Sequence, residues 1–185
     1  MINLNDLKVV FAGCARNCEK YLPDVLKNIQ SYSSHFKKSF KIIVENGSTD
    51  DTKKILKDHE NDESIFLFRD DFNFVEHRTT RLALARNLII EEIKINQKLR
   101  DFDLLIMIDC DDRGILKIEK NNFIKAIEFL FSKKSIAGVF GNQPEVYFDM
   151  WALMDQHKFK GDFFGDALKF ADARMQSTDK INKEI

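Results

Sequence analysis

A chain of 185 residues, 44% hydrophobic and carrying 17 phenylalanines, can bury a core of its own, and its formal net charge of -1 creates no overall field that would draw in a nucleic acid. Such a composition argues against a disordered chain, and residues 1–185 are expected to form one domain, either whole or short on its C-terminal side. Three cysteines, Cys14, Cys18 and Cys110, make no disulfide framework; the N-terminus lacks the basic start and apolar core of a signal peptide. No apolar run approaches the roughly 20 residues of a bilayer span, so a soluble, cytoplasmic chain without a transmembrane segment is expected.

Val9 to Ala12 reads as a strand, followed by a turn of small residues, Gly13-Cys14-Ala15-Arg16-Asn17, and a helix over Glu19 to Ser33. Leu22, Val25, Leu26 and Ile29 give that helix one apolar face, and Pro23 is tolerated because it falls in the first turn. Phe40 to Val44 is the second strand, ending in Glu45-Asn46-Gly47-Ser48-Thr49-Asp50-Asp51-Thr52 before a helix to about His59. Ser48 and Asp51 have capping-box spacing, which explains part of that stretch as helix punctuation. Glu45 and Asn46 fall outside it, at a strand tip where a ligand would be met.

Ser64 to Phe68 is a third strand, Arg69 to His77 a polar loop, and a long helix is expected from Thr79 or Thr80 to about Asn96 with Leu82, Ala85, Leu88, Ile89 and Ile93 as its core stripe. Arg78 and Arg81 lie where that helix begins, and positive charge there opposes the helix dipole unless it meets an anion. Pairing with Asp70, Asp71 or Glu76 is the plain alternative.

The apolar run Leu104 to Ile108 then stops abruptly at Asp109-Cys110-Asp111-Asp112-Arg113-Gly114, as a strand buried on both faces does when it emerges at a sheet edge. Carboxylates crowded this closely are unfavourable unless a cation neutralises them, and a hard divalent metal is the evident cation, a solvated acidic turn being the plain alternative. Alternation along a strand lets Asp109 and Asp111 face one way and Cys110 the other. A helix over Ile118 to Ser132, a strand over Ile136 to Phe140, an alternating segment Val146 to Trp151 and a closing helix from about Asp166 complete the chain. Strands alternating with helices make this an α/β sheet protein.

In this order the motifs resemble those of nucleotide-diphosphate-sugar glycosyltransferases of the GT-A fold, in detail a family-2-like and capsule-type, mannosyltransferase-like group. Val44-Glu45-Asn46-Gly47-Ser48-Thr49-Asp50 stands where many have Val-Asp-Asp-Gly-Ser-Thr-Asp, Arg81 to Asn87 lies on a helix, and Asp109-Cys110-Asp111 is an Asp-X-Asp (DXD) motif. Tyr147-Phe148-Asp149-Met150-Trp151-Ala152-Leu153 is similar to a further stretch of the capsule-type group, and the likeness covers about residues 8 to 154.

The resemblance implies a Rossmann-like three-layer α/β/α sandwich with a mostly parallel sheet, and transfer of a sugar, a hexose foremost, from a nucleotide-diphosphate donor to a glycan or glycoconjugate acceptor. It implies Mn2+ or Mg2+ as cofactor, with Asp111 binding the metal, Asp109 sharing it or contacting the ribose, and Asp112 a weaker candidate. Glu45 or Asn46 would meet the base, the backbone of Ala12, Gly13 and Ala15 would line the nucleotide pocket, and Arg78 or Arg81 would meet phosphate. Asp149 is the candidate reacting carboxylate, or else a cap on the segment that follows; Trp151 packs on a sugar face or in the core. His157 is a further, weaker metal candidate. Two departures stand out: Glu45-Asn46 replaces the commoner pair of aspartates, and the chain stops where many relatives continue. The rival readings are a degenerate domain of the same fold that binds without turnover, a haloacid-dehalogenase-type phosphatase, whose Asp-X-Asp ordinarily opens its fold, and a sugar nucleotidyltransferase, whose Gly-rich loop Gly13 to Asn17 matches poorly.

Overall fold

The computed structural model describes residues 3–111, 119–133, 136, 138 and 139. Apart from Gly138 and Val139, these fall in one compact unit, Met1–Ala137. Its frame is a four-stranded parallel sheet of β1 (Lys8–Ala15), β2 (Lys38–Glu45), β3 (Ser64–Phe68) and β4 (Leu104–Met107), in the order β3-β2-β1-β4. Registers run Ala15 opposite Glu45, Glu45 opposite Phe68 and Ala12 opposite Met107, so all strands finish at one edge. The chain steps outward from β1 to β3 and then returns to place β4 on β1's other side. Open sheets of this kind bind ligands beyond the strand ends at the point where the order reverses.

Four helices link and cover the strands: α1 (Leu22–Ser33), α2 (Thr52–Asp58), α3 (Arg78–Ile95) and α4 (Lys120–Ser132). One face of the sheet carries Val9, Phe11, Ile43, Leu104 and Cys110, buried with Leu22, Val25 and Ile29 of α1, Leu56 of α2 and Phe123 and Ile127 of α4. The other carries Val10, Ala12, Phe40, Ile42 and Val44 beneath Ala85 and Ile89 of α3. Two apolar clusters with the sheet between them make the three-layer α/β/α architecture expected from the alternating pattern. Because α3 packs on β1 and β2, β4 keeps its outer face open, and Leu105 and Met107 are exposed there.

The long elements fall where apolar spacing places them, while several ends differ. Helix α1 starts at Leu22 rather than near Glu19, because the intervening residues bond sideways: Glu19 N–H donates to Asp50 Oδ2 at 3.1 Å, and Glu19 Oε2 accepts from Asp51 N–H at 2.8 Å. The capping box expected of Ser48 and Asp51 does not form. Helix α2 begins at Thr52, the Ser48 hydroxyl instead accepts from Asn17 N–H at 2.9 Å, and Asp50 Oδ1 accepts from Thr52 N–H at 3.0 Å. Ile136, Gly138 and Val139 are not in a strand, and Ile136 N–H turns back to the Lys133 carbonyl at 3.1 Å. Val146 to Trp151 and the closing helix lie outside the described residues. Among the described residues no helix is long and apolar enough to cross a membrane.

Candidate active site

At the ends of β1 and β4 a cleft of about 320 Å³ opens, lined by Cys14, Arg16, Asn17, Cys18, Asn46, Asp109, Cys110 and Asp111 from the strand tips and by Arg78, Arg81 and Leu82 from α3. Its size falls in the lower part of the range for small-molecule sites. Of the residues singled out from the sequence, Asn46, Arg78, Arg81, Asp109 and Asp111 meet here. Ala12 and Ala15 are buried in β1 behind it, and Gly13 lies between them. Asp112, Asp149, Trp151 and His157 lie outside the described residues.

Strand alternation decides which tip residues reach the cleft. Along β2, Phe40, Ile42 and Val44 face α3, and Asn46 continues that row into the cleft; Ile43 and Glu45 face the opposite layer. Glu45 is fully buried, its Oε1 accepting from Ser48 N–H at 2.5 Å, and it does not line the cleft. Asn46 is held by its backbone on both sides, its N–H donating to Ala15 C=O at 3.0 Å and its carbonyl accepting from Arg16 Nη1 at 2.6 Å. Its side chain is 6% exposed, yet Oδ1 has no hydrogen-bond partner among the described residues. An unpaired buried acceptor costs about 1–3 kcal/mol, which a bound N–H donor would recover.

Along β4 the parity puts Leu104, Ile106, Ile108 and Cys110 with the α1 and α4 cluster, and Asp109 and Asp111 on the other, exposed row. Gly13 makes this approach possible. A Cβ there would stand 2.7 Å from Cys110 Sγ and 2.9 Å from the Ile108 carbonyl, so only glycine lets the acidic turn close against β1. The turns after β1 and β2 are laced together in turn: Asn17, at φ 49°, donates its N–H to Ser48 and accepts from Thr49 N–H at 2.9 Å, and Cys18 N–H donates to the Thr52 hydroxyl at 2.9 Å. Burial raises the Asp50 carboxyl, but hydrogen bonds from Thr52 and the Glu19 backbone outweigh it and hold the carboxyl below its ordinary value.

Arg81 is partly committed, Nη1 donating to the carbonyls of Val75 at 2.6 Å and Glu76 at 3.2 Å. Of the three acids that offered a plain alternative, Asp70 is engaged with Lys53 and Asp71 with Arg69, and Glu76 meets Arg81 through its backbone carbonyl. Arg78 has no ion pair among the described residues and lines the cleft together with the carboxylates of Asp109 and Asp111. Burial pushes the Cys14 thiol up to about 11, a rise that nearby Arg86 moderates, and burial raises Cys18 and Cys110 as well, so three uncharged thiols form part of the lining.

Among the described residues no three His, Cys, Asp or Glu side chains cluster closely enough to hold a metal by themselves. The pair Asp109 and Asp111 nevertheless fits a hard divalent ion of the kind that takes one or two protein carboxylates and completes its shell with substrate phosphates and water. Arg16, Asn17, Cys14 and Cys18 were not singled out as site residues by the sequence, and Leu82, expected in the core stripe of α3, lines the cleft instead; their place at the end of a central strand or facing it on α3 was the available signal.

Residues 14–113 match the family described as Glycosyl transferase family 2. No curated protein sequence matches the chain. Among solved structures, residues 1–349 of TarS from S. aureus align with 67% of this chain at 17% identity and a TM-score of 0.42, and the chain spans 32% of that protein's length.

Proposed function

The chain belongs to glycosyltransferase family 2, and from that membership we propose that it transfers a sugar, a hexose foremost, from a nucleotide-diphosphate donor to a hydroxyl of a glycan or glycoconjugate, with the strand-end cleft as the donor site. The observation that supports this reading is the gathering, in one cleft of about 320 Å³, of three complementary features: the unpaired buried acceptor of Asn46, the guanidinium groups of Arg78 and Arg81, and the carboxylates of Asp109 and Asp111. A nucleoside diphosphate has a part for each. Asn46 Oδ1 accepts an N–H from the base, and the end of β1 at Ala12, Gly13 and Ala15 backs the nucleoside. The arginines present forked donors to the diphosphate.

Asp109 and Asp111 would hold Mn2+ or Mg2+ against the diphosphate, Asp109 also being within the role of a ribose contact. When bound, that ion supplies positive charge that stabilises the departing diphosphate. The chain's own residues do the remainder: the arginines neutralise the phosphates from the helix side, while the three protonated thiols add no competing negative charge. By its likeness to the capsule-type group, Asp149 takes the proton of the acceptor hydroxyl as general base and Trp151 packs on a sugar face. The free cysteines Cys14, Cys18 and Cys110 fit action in the reducing cytoplasm.

The test is release of nucleoside diphosphate from a panel of nucleotide sugars, with and without Mn2+ and with glycan acceptors added. Metal-dependent release that Asp111→Ala abolishes, in a variant that melts as the parent does, is the expected result. Turnover of no donor, with Asp111→Ala and the parent binding nucleotides equally, would reject the site.

A further inference from the structure

Glu45 is a buried carboxylate that the donor reading leaves without a task. It is 0% exposed at the tip of β2, and while Oε1 bonds Ser48 N–H, Oε2 has no hydrogen-bond partner among the described residues. Lys53 Nζ stands 4.0 Å from that oxygen and also binds Asp70 Oδ1. Lys53 occupies the first turn of α2, where the helix dipole disfavours a cation, so its place there has a tertiary cause. The bond to Asp70, with a smaller contribution from Glu45, holds the ammonium charged above its ordinary range.

Asp70 opens the segment 69–77, which leads from β3 into α3. Its near end lies against β2: Arg69 N–H donates to the Glu45 carbonyl at 2.8 Å, and the Asn73 side chain sits where a Cβ on Gly47 would be. Within the segment, Arg69 grips Asp71 through Nε at 2.8 Å and Nη2 at 2.6 Å and lies over the Phe72 ring at 4.6 Å. Its far end is held by Arg81, through the carbonyls of Val75 and Glu76. Arg81 lines the cleft, as does Asn46, the neighbour of Glu45.

We propose that Lys53 is a positioning residue. Bridging buried Glu45 to Asp70, it braces segment 69–77 against the end of β2, and so keeps Arg81 on the helix wall of the cleft in register with Asn46 on the strand wall. Lys53 itself is not part of the cleft lining, so any effect it has on ligand binding is indirect, through that segment or through Glu45 at the tip of β2.

The brace is tested first without ligand, by amide hydrogen exchange on the parent, Lys53→Met and Lys53→Arg. Exchange over residues 69–81 is expected to rise about 3- to 5-fold in Lys53→Met, with β1 and α1 unchanged, and to return toward the parent in Lys53→Arg. Its consequence for binding rests on the donor-cleft reading, and is measured as affinity for UDP and GDP with Mn2+: a loss of about 3- to 5-fold in Lys53→Met, restored by Lys53→Arg. Unchanged exchange over 69–81 overturns the brace. Faster exchange with unchanged affinity overturns its positioning role. If the parent binds neither of these, nor ADP or CDP, the cleft reading fails on its own account, and exchange alone decides the brace.

Discussion

Replacing Gly13 by alanine places one methyl group at the junction on which the acidic turn depends. Its Cβ would meet Cys110 Sγ at 2.7 Å and the Ile108 carbonyl oxygen at 2.9 Å. Ordinary contacts lie at about 3.5–4.0 Å, so the two strands must part by somewhat under about 1 Å. The sulfur can yield by turning its side chain; the carbonyl belongs to the backbone that leads into Asp109 and cannot. Overpacking of this kind costs about 1–3 kcal/mol, which in a chain of this size lowers Tm by roughly 2–12 °C. Thermal and urea denaturation of Gly13→Ala, Cys110→Ala and the double variant give the assay. Removing the thiol relieves the closer contact and leaves the carbonyl contact, so the double variant should be more stable than the sum of the two single effects predicts. Nucleotide affinity should fall in Gly13→Ala even where the protein is folded, because the carboxylates ride on the displaced turn. A Gly13→Ala protein as stable as the parent, with additive single effects, would show that the close approach of β4 to β1 is not what holds Asp109 and Asp111 in the cleft.

Asn46→Ala removes a buried acceptor that has no partner, so stability should hold or rise by up to about 1 kcal/mol while nucleotide affinity falls at least 10-fold, measured by denaturation and calorimetric titration. Arg78→Ala and Arg81→Ala should separate. The first, with no ion pair to lose, should weaken diphosphate binding and leave stability within about 0.5 kcal/mol of the parent's, whereas the second also frees two carbonyls and should cost about 1 kcal/mol of stability. The raised Cys14 thiol gives a pH prediction with a definite sign. A folded-state value of about 11 against an ordinary 9.0 contributes stability below pH 9 that is lost as pH rises through 11, so denaturation midpoints should fall across that window and fall less in Cys14→Ala. Alkylation of Cys14 should be slow at pH 8, speed up with pH, and be blocked by a bound nucleoside diphosphate, as read by mass spectrometry.

Much of the fold was legible because each strand is a short apolar run and α1 carries a regular apolar stripe. Ser64–Phe68 falls where it was expected, and Leu104–Met107 ends one residue before it was expected to. Helix ends were less legible where residues distant in sequence share a hydrogen-bond net. Nothing near Glu19 announces Asp50 and Asp51, which take over its backbone and side chain. The same limit applied to Glu45 and Asn46. A parallel strand buried on both faces shows no polar alternation, so the sequence cannot say which of the two tip residues points to α3 and which to α2. Packing settles it: Asn46 continues the row of Ile42 and Val44 and lines the cleft, and Glu45 continues the row of Ile43. Arg16 and Asn17 were missed as side chains because their roles, on the Asn46 carbonyl and the Ser48–Thr49 turn, need contacts 30 to 32 positions away. The place of Asp109 and Asp111 in the cleft could be read directly, since an apolar strand that gives way to acid presents those residues beyond the sheet edge.

The central claim is that the cleft at the ends of β1 and β4 binds a nucleoside diphosphate through Asp109 and Asp111 with a divalent metal. Calorimetric titration of UDP, GDP, ADP and CDP into the parent and Asp111→Ala, each with Mn2+ and with chelator, tests it most directly. One diphosphate should bind the parent at least 10-fold more tightly with Mn2+ than without, and Asp111→Ala should lose that difference while keeping the parent's Tm. Binding of no diphosphate by a folded parent, or metal-dependent binding that persists in Asp111→Ala, would contradict it.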